Sequence, residues 1–277
     1  MQIIGMQLDL AWEDRAANYE RAREMLDAAH IQSGAMIVFP EMFATGYSMN
    51  LATTVEPEDS GGPTMGFYIE TARRHAAYVV GGIVRAEAGE RARNEAVVIG
   101  PDGAEVARYC KMRPMRLAPA PAPGPAPGPG SAAGGGAEID HYCRGEEVVT
   151  FRWGAFTVCP LICYDLRFPE LFRRAVVPGV PGGADLFVVI ASWPDRRQAH
   201  WTALLRARAI ENQAYVVGVN RCGDDPYHHY AGGSVMFDPH GNPIADAGDA
   251  PTLLSATLRH EVVTQWREEF PALKDAE

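Results

Sequence analysis

The chain has 277 residues, of which 47% are hydrophobic and 22% are charged, so it can bury a sizeable core and has the composition of an ordinary globular protein. Its formal net charge is −10, with 25 Lys and Arg residues against 35 Asp and Glu residues, and the basic residues form no long run. This balance argues against nucleic acid or an anionic membrane surface as a partner.

Cysteine usage and the N-terminal stretch indicate the compartment. Five cysteines are an odd number, which does not fit a complete disulfide framework. Residues 1–15, MQIIGMQLDLAWEDR, lack the basic and long apolar regions of a secretory signal. No apolar run approaches the roughly 18 residues needed to span a bilayer. We therefore expect a reduced, cytoplasmic protein without a membrane partner.

Apolar periodicity predicts strands and helices in alternation. In chain order, the predicted elements are a strand over 2–10, a helix over 16–32, a strand over 35–39, a helix over 64–76, a strand over 78–84, a hairpin over 95–109, a strand pair over 148–153 and 156–163, a helix from about 169, a strand over 185–191, a helix over 196–213, a strand over 214–220, a hairpin over 234–248 and a helix over 260–270. Hairpins interrupt the alternation, so a mixed sheet layered with helices fits better than a purely parallel one.

One segment has a different composition from the rest. From Ala118 to Ala137, the sequence APAPAPGPAPGPGSAAGGGA contains only Ala, Pro, Gly and Ser, so no side chain can anchor it in a core. It is either an insertion in a surface loop or an interdomain linker. Because the strand patterns on either side resemble halves of one sheet system, we interpret residues 1–277 as a single domain with a loop insertion at 118–137.

Three chemically active side chains each follow an apolar, strand-like run: Glu41, Lys111 and Cys163. The carboxyl ends of neighbouring strands converge in space, so these distant residues can form one site. Such a trio supports acyl transfer. A nearby ammonium and a helix start favour the thiolate, and a carboxylate can accept the thiol proton. Lys111 and the backbone N–H of Tyr164 can then stabilise an oxyanion.

Each of these residues also has a structural interpretation. Cys163 could be a small buried hydrophobic side chain, Glu41 could cap a turn, and Lys111 could be a solvated charge. The positions of the three residues alone favour the catalytic interpretation only slightly.

Three sequence motifs favour the catalytic interpretation more strongly. FPEMFATGYSM (39–49), YCK (109–111) and LICYDLRFPELFR (161–173) resemble the glutamate, lysine and cysteine motifs of the nitrilase, or carbon-nitrogen hydrolase, superfamily. In addition, 191–221 and 230–248 resemble the branch with omega-amidase activity, which hydrolyses the terminal amide of 2-oxoglutaramate or 2-oxosuccinamate. The resemblance covers nearly the whole chain outside residues 112–137.

This resemblance implies an α+β fold, a four-layer α-β-β-α sandwich with mixed sheets, which dimerises so that the sheets continue across subunits. It further implies Glu41 as general base, Lys111 as oxyanion stabiliser and Cys163 as nucleophile, acting on a small-molecule amide through a thioester and without a metal or organic cofactor. We therefore expect a homodimer.

The family's second glutamate lies between the lysine and the cysteine, seven residues before a glycine. The segment EIDHYCRG aligns Glu138 with it, and Glu138 would orient Lys111 and the attacking groups. Asp140, Glu146 and Glu147 are weaker candidates. The Ala/Pro/Gly tract stands where relatives carry a compact lid with aromatic residues, so we expect a looser mouth and altered limits on substrate size.

A 2-oxo acid amide carries a carboxylate, which calls for a guanidinium group. Arg167, four residues after the nucleophile, and Arg197 are the best placed, and Trp193 could form a wall of the pocket. Alternatively, Arg167 forms an ion pair with Asp165 or Glu170, and Arg197 is a solvated residue at a helix start.

Other polar residues receive a structural interpretation. The pairs 228–229, 141/143 and 159/163 lack the spacing of a zinc site, so we expect no metal. Glu211 is interpreted as a buried polar support near the site. Cys110 and Cys143 flank the tract and could form a disulfide under oxidation, which a cytoplasmic location disfavours.

Two other functions stay open. A different carbon-nitrogen hydrolase, such as a nitrilase, a carbamoylase or an aliphatic amidase, would use the same trio. A non-catalytic binding protein would have no reason to retain all of the acyl-transfer residues.

Overall fold

The computed structural model describes residues 1–56, 61–87, 89, 91–117, 136–176 and 183–275. Within these ranges the chain forms two six-stranded mixed sheets and a two-stranded ribbon. The two sheets pack face to face, and helices cover the outer face of each sheet. The predicted α+β, four-layer α-β-β-α sandwich is therefore confirmed.

The first sheet has the strand order β14-β1-β2-β3-β4-β5. Its strands are β1 (Gln2–Gln7), β2 (Met36–Val38), β3 (Tyr78–Ala86), β4 (Ala92–Ile99), β5 (Glu105–Cys110) and β14 (Thr252–Thr257). The second sheet has the order β13-β12-β9-β8-β7-β6. Its strands are β6 (Phe151–Trp153), β7 (Phe156–Ile162), β8 (Leu186–Ala191), β9 (Tyr215–Asn220), β12 (Val235–Phe237) and β13 (Pro243–Asp246). The ribbon pairs β10 (Cys222–Asp224) with β11 (His229–Ala231).

Both sheets follow the same pattern of strand directions. Three central strands are parallel, one antiparallel strand flanks them on one side, and an antiparallel pair flanks them on the other. The carboxyl ends of the central strands in each sheet therefore lie at one edge, where loops can present side chains.

The helices lie between the strands in the chain and outside the sheets in space. They are α1 (Arg15–Asp27), α2 (Leu51–Thr54), α3 (Gly62–His75), α4 (Glu138–His141), α5 (Pro169–Val176), α6 (Gln198–Asn212) and α7 (His260–Glu269), with short 3₁₀ helices at Cys163–Arg167, Asp195–Arg197 and Ala272–Asp275. None of the helices within the described ranges is long and apolar enough to cross a membrane.

Strand periodicity divides the apolar residues between two cores. In β4, Val98 points into the core between the sheets, whereas Val97 points outward against α1 and α3. Phe67 and Tyr68 of α3 pack in that outer core. Because successive strand residues face opposite sides, a sheet covered on both faces needs nearly continuous apolar runs. The runs that predicted the strands have this composition.

Most predicted elements are confirmed, with corrected ends. The helix predicted over 16–32 stops at Asp27, because the Gln2 side chain bonds the His30 carbonyl and the Gln32 N–H and draws that segment to the edge of β1. The strand predicted from residue 148 begins at Phe151. Residues 118–135 lie outside the described residues, so the loop insertion within a single domain stays a prediction.

Candidate active site

Three loops at the carboxyl ends of strands bring the predicted trio together. Glu41 follows β2, Lys111 directly follows β5, and Cys163 directly follows β7. β2 and β5 belong to the first sheet and β7 to the second, so the site lies where the two sheets meet. All three residues are buried, with only 8% of Cys163 exposed.

A glycine in β3 makes room for the loop that carries Glu41. A Cβ atom on Gly82 would lie 2.4 Å from the Met42 nitrogen and 2.9 Å from the Glu41 Cα. Only a residue without a side chain allows this approach of two backbones. Met42 itself has a left-handed backbone, with φ of 47°, which turns the chain immediately after Glu41.

Lys111 is shared between two carboxylates. Its Nζ donates to Glu41 Oε1 at 2.7 Å and to the two oxygens of Glu138 at 2.8 and 2.9 Å. Burial alone would lower the pKa of Lys111, but the neighbouring carboxylates of Glu138 and Glu41 outweigh it and raise the pKa well above its ordinary value. Lys111 is therefore a fixed cation, as an oxyanion stabiliser has to be.

Glu138 lies in this cluster, at the position the alignment with Gly145 predicted. Its Oε2 also accepts the Met115 N–H at 2.7 Å. Gly145 donates its N–H to the Lys111 carbonyl at 2.9 Å, and a Cβ there would lie 2.1 Å from the Cys110 carbonyl oxygen, which explains the glycine. The weaker candidates are all exposed and lie outside the cluster: Asp140, Glu146 and Glu147.

Cys163 begins a 3₁₀ helix with a left-handed backbone, φ of 46°. A non-glycine residue in this conformation costs on the order of 1–3 kcal/mol and is typical of functional sites. Burial raises the pKa of the thiol well above its ordinary value, the Glu41 carboxylate raises it further, and Lys111 opposes the shift. Lys111 thus favours the thiolate as expected, but burial and Glu41 outweigh it, so the resting thiol is protonated near neutral pH.

The Glu41 carboxylate is fixed at both of its oxygens. Oε1 accepts from Lys111, and Oε2 accepts the backbone N–H of Ser192 at 2.9 Å. Ser192 follows β8 and also donates its hydroxyl to the Glu41 carbonyl at 3.3 Å. A loop of the second sheet thus orients a carboxylate of the first sheet towards Cys163.

Sequence analysis missed the role of Asp165, which links the lysine and cysteine loops. Its carboxylate accepts from the Tyr109 hydroxyl at 2.8 Å, the Arg113 N–H at 2.9 Å and the Ile162 N–H at 3.1 Å. Tyr109 and Arg113 bracket Lys111, and Ile162 precedes Cys163. Burial raises the pKa of Asp165 to about 7, although Lys111 and these three hydrogen bonds oppose the shift.

Asn94 was also missed. Its side-chain amide donates to Glu41 Oε1 at 2.8 Å and to Glu138 Oε1 at 3.0 Å. No sequence motif marked it, and the only signal was an asparagine inside a strand, where this residue type is depleted.

A pocket with about 370 Å³ of empty space, part of it open to solvent, lies beside Cys163. Besides Cys163 and Lys111, its lining includes Tyr47, Tyr164, Arg167, Trp193, Arg197 and His228. All three residues predicted to bind substrate therefore face this cavity, together with Tyr164. His228 was not predicted there, and burial and the neighbouring arginines lower its pKa while Asp225 opposes the shift.

Arg167 forms no ion pair with a carboxylate among the described residues. Its guanidinium lies 4.7 Å from the centre of the Trp193 ring, and Nη2 lies 3.3 Å from His200 Nδ1. The alternative of an ion pair with Asp165 or Glu170 is wrong, because Asp165 points inward and Glu170 lies 3.4 Å from Arg113.

Arg197 is half-buried and likewise pairs with no carboxylate in the described part of the chain. Burial lowers its pKa, and the positive charge of Arg196 adds to the shift. Its carbonyl accepts the Trp193 Nε1–H at 2.8 Å, while the Trp193 N–H donates to Asn220 Oδ1 at 2.7 Å. These two hydrogen bonds fix Trp193, which contacts both arginines.

Glu211 supports the site indirectly, but its side chain is 35% exposed and not buried as predicted. It accepts from Arg208 Nη1 at 2.9 Å, and Arg208 donates to the Leu166 carbonyl, three residues after Cys163, through two nitrogens at 3.2 and 2.8 Å. Among the described residues, no group of three or more His, Cys, Asp or Glu side chains could hold a metal ion. All five cysteines are free, so Cys110 and Cys143 form no disulfide.

Comparisons with known proteins agree with this geometry. The carbon-nitrogen hydrolase family model matches residues 3–268. The chain is 36% identical to omega-amidase YafV of Yersinia enterocolitica, over 100% of the chain and 97% of that protein, and 27% identical to 2-oxoglutaramate amidase of Bacillus subtilis, over 98% and 95%.

Solved structures show the same fold. XC1258 from Xanthomonas campestris, a CN-hydrolase superfamily protein with an arsenic adduct in its active site, superposes with a TM-score of 0.86 at 30% identity, over 100% of this chain and 97% of that one. An alanine-for-cysteine mutant of the Nesterenkonia sp. AN1 amidase in complex with butyramide gives a TM-score of 0.74 at 25% identity, over 98% and 96%. The chain therefore belongs to the carbon-nitrogen hydrolase family and is an enzyme that hydrolyses carbon–nitrogen bonds.

Proposed function

We propose that this enzyme hydrolyses the terminal amide of a small 2-oxo acid, with 2-oxoglutaramate and 2-oxosuccinamate as candidate substrates, and releases ammonia through a thioester on Cys163. One observation carries the proposal. A buried Glu41–Lys111–Glu138 cluster adjoins Cys163, and the cavity beside it contains two guanidinium groups that have no carboxylate partner among the described residues. The relatives named omega-amidase and 2-oxoglutaramate amidase support the substrate class.

The first step forms the bond between sulfur and carbon. Because the resting thiol is protonated, Glu41 accepts the Cys163 proton as Sγ attacks the amide carbonyl. The carbonyl electron pair moves to oxygen. Lys111 and the Tyr164 N–H donate to this oxyanion, and removing one such donor typically lowers the rate about 100- to 1,000-fold.

The second step breaks the carbon–nitrogen bond. The oxyanion collapses, Glu41 returns its proton to the amide nitrogen, and ammonia leaves. The acyl group stays on Cys163 as a thioester, and Glu41 is again a carboxylate.

Hydrolysis of the thioester completes the cycle, again with Glu41 as the group that accepts and returns a proton. Glu41 accepts a proton from water as its oxygen attacks the thioester, and the second tetrahedral intermediate collapses with the sulfur as leaving group. Glu41 then returns the proton to the sulfur, so the enzyme regains its starting state and the product is a carboxylic acid. Through all three steps Glu138 holds Lys111 in place.

The far end of the substrate would bind to the arginines. A carboxylate can accept two parallel hydrogen bonds from a guanidinium fork, and neither Arg167 nor Arg197 has a competing carboxylate among the described residues. Trp193 lines the same cavity, with the Arg167 guanidinium 4.7 Å from the centre of its ring, and its indole can pack against the short carbon chain.

An acyl-enzyme trap tests the proposal. The protein is mixed briefly with 2-oxoglutaramate, 2-oxosuccinamate, an aliphatic nitrile or an N-carbamoyl amino acid, then quenched in acid for peptide-resolved mass spectrometry. We expect the acyl mass on Cys163 with the 2-oxo acid amides, together with ammonia release, and neither in Cys163→Ala. Adducts only with the nitrile or the carbamoyl compound would replace this substrate class with another one, and no adduct with any compound would refute the thioester.

We further propose that the enzyme is a cytoplasmic homodimer. Exposed apolar side chains support an association surface, among them Ile210 and Phe270 at 51% and 55% exposure. Light scattering during size-exclusion chromatography measures the assembly, and a monomer at micromolar concentration would contradict it.

A further inference from the structure

Asn94, like Lys111, bridges the two carboxylates of the site. Glu41 Oε1 accepts from Lys111 at 2.7 Å and from Asn94 at 2.8 Å. Glu138 Oε1 accepts from Lys111 at 2.8 Å and from Asn94 at 3.0 Å. One ammonium and one amide thus close a ring of four hydrogen bonds around two carboxylate oxygens.

The amide of Asn94 has only one orientation that this ring accepts. Its Oδ1 is buried and has no hydrogen-bond partner in the described part of the chain, an arrangement that normally destabilises a protein. Rotating the amide would place that oxygen against the oxygens of Glu41 and Glu138, which is worse. The backbone adds a constraint, because the Asn94 carbonyl accepts the Lys111 N–H at 2.9 Å.

Charge explains why a neutral donor is suitable here. Two carboxylates share one ammonium, so the cluster has a surplus negative charge, and nearby like charges favour uptake of a proton. If Glu41 took up that proton, it could not accept another from Cys163. A second cation would prevent this but would also make Glu41 a weaker base. Two neutral N–H donors stabilise the charge without adding another.

We propose that Asn94 is a positioning residue whose amide keeps Glu41 and Glu138 ionised and at a fixed separation, so that Glu41 is ready to accept the Cys163 proton. The inference rests on the proposed roles of Glu41 and Cys163. It assigns to Asn94 no contact with substrate, since Asn94 does not line the cavity.

The kinetic test compares two buried asparagines. Asn94→Asp keeps the shape of the side chain but replaces the amide donor with a third carboxyl group. Asn94→Ala removes the amide altogether. Asn212→Asp and Asn212→Ala are the matched controls, because Asn212 is also buried with an unpartnered Oδ1 but lies at the far end of α6. We expect the Asn94 variants to lower kcat about 10- to 100-fold, the range of one or two hydrogen bonds to a charged group, with KM within about twofold.

The pH profile separates this role from a purely structural one. Loss of the donors should move the acid limb of kcat towards higher pH by about one unit, because a proton then stays on the carboxylate cluster more readily. A lower kcat with an unchanged acid limb would overturn the inference. Thermal unfolding identifies the variants that fold. If Asn94→Ala does not fold, the nearly isosteric Asn94→Asp still allows the test.

A measurement without substrate separates this inference from the proposed function. Alkylation of Cys163 by iodoacetamide, followed by peptide-resolved mass spectrometry, reports proton transfer from the thiol whatever amide the enzyme uses. We expect the Asn94 variants to alkylate Cys163 at least about fivefold more slowly below pH 7 than the wild type and the Asn212 controls. Equal rates would overturn the role of Asn94. Slower alkylation in the Asn94 variants, together with a wild type that hydrolyses none of the amides, would support the role of Asn94 while refuting the substrate class.

Discussion

Replacing Arg197 with alanine removes a half-buried cation whose pKa is lowered by burial and by Arg196. The folded protein has therefore already lost part of the hydration of this guanidinium, and a bound carboxylate would compensate for that loss. A hydrogen bond between charged groups contributes about 1.5–3 kcal/mol. At about 1.4 kcal/mol per factor of ten, kcat/KM for 2-oxoglutaramate should fall about 10- to 150-fold. The loss should appear mainly in KM, because the carboxylate lies away from the reacting carbonyl.

Initial rates of ammonia release measure this effect, with 2-oxoglutaramate and an uncharged amide of equal chain length as the two substrates. Arg197→Ala should lower kcat/KM only for 2-oxoglutaramate. Arg196→Ala is the matched control, because Arg196 is exposed and does not line the cavity, and its effect should stay within about twofold. Equal losses for both substrates, or an equal loss in the Arg196 variant, would refute carboxylate binding by Arg197.

Four other predictions have defined outcomes. Arg167→Ala should raise KM for the 2-oxo acid amide far more than for the uncharged amide. Glutamine should be hydrolysed at least about 100-fold less efficiently than 2-oxoglutaramate, because the described lining of the cavity holds cationic groups and no carboxylate that could bind the ammonium group of glutamine; comparable rates for the two substrates would contradict this. Glu41→Gln should lower kcat about 100- to 10,000-fold with little change in KM, and single-turnover acylation of Cys163 should slow equally. Burial raises the pKa of Asp165 to about 7, above its value in the unfolded chain, so ionising this carboxyl group in the folded protein costs stability. The free energy of unfolding should therefore fall by roughly 2–3 kcal/mol more from pH 5 to 8 in the wild type than in Asp165→Asn. Parallel urea-denaturation profiles would exclude that titration.

The order of elements and the main motifs were readable from the sequence because each depends on local pattern. Apolar runs bounded by turn residues identified the strands, and the residues after three of them became the site. The sequence indicated the position of Glu138 despite the tract before it, because Gly145 gave a fixed reference point seven residues later. Gly145 lies so close to the Cys110 carbonyl that a side chain would not fit there. The ribbon of β10 and β11 was not predicted, because its three-residue strands carry no apolar alternation.

The residues that sequence analysis missed share another property. Apart from the Ile162 N–H, the partners of the Asn94 and Asp165 side chains lie 44 to 56 positions away in the chain. Their local context therefore does not distinguish them from a strand asparagine or a loop aspartate. The same limit applies to the ion pair considered as an alternative role for Arg167, which is wrong. Asp165 is two positions away in sequence, but the 3₁₀ turn directs its carboxylate to the backbone before Cys163.

The division of the site between the two sheets has a consequence for how the protein acquires activity. Glu41 and Lys111 are fixed by the half of the chain that forms most of the first sheet, while Cys163 and the Ser192 N–H come from the second. On the proposed mechanism, neither half can turn over substrate before it has docked on the other. During refolding, recovered turnover would report the final closure of the interface between the halves, later than any signal from the helices alone.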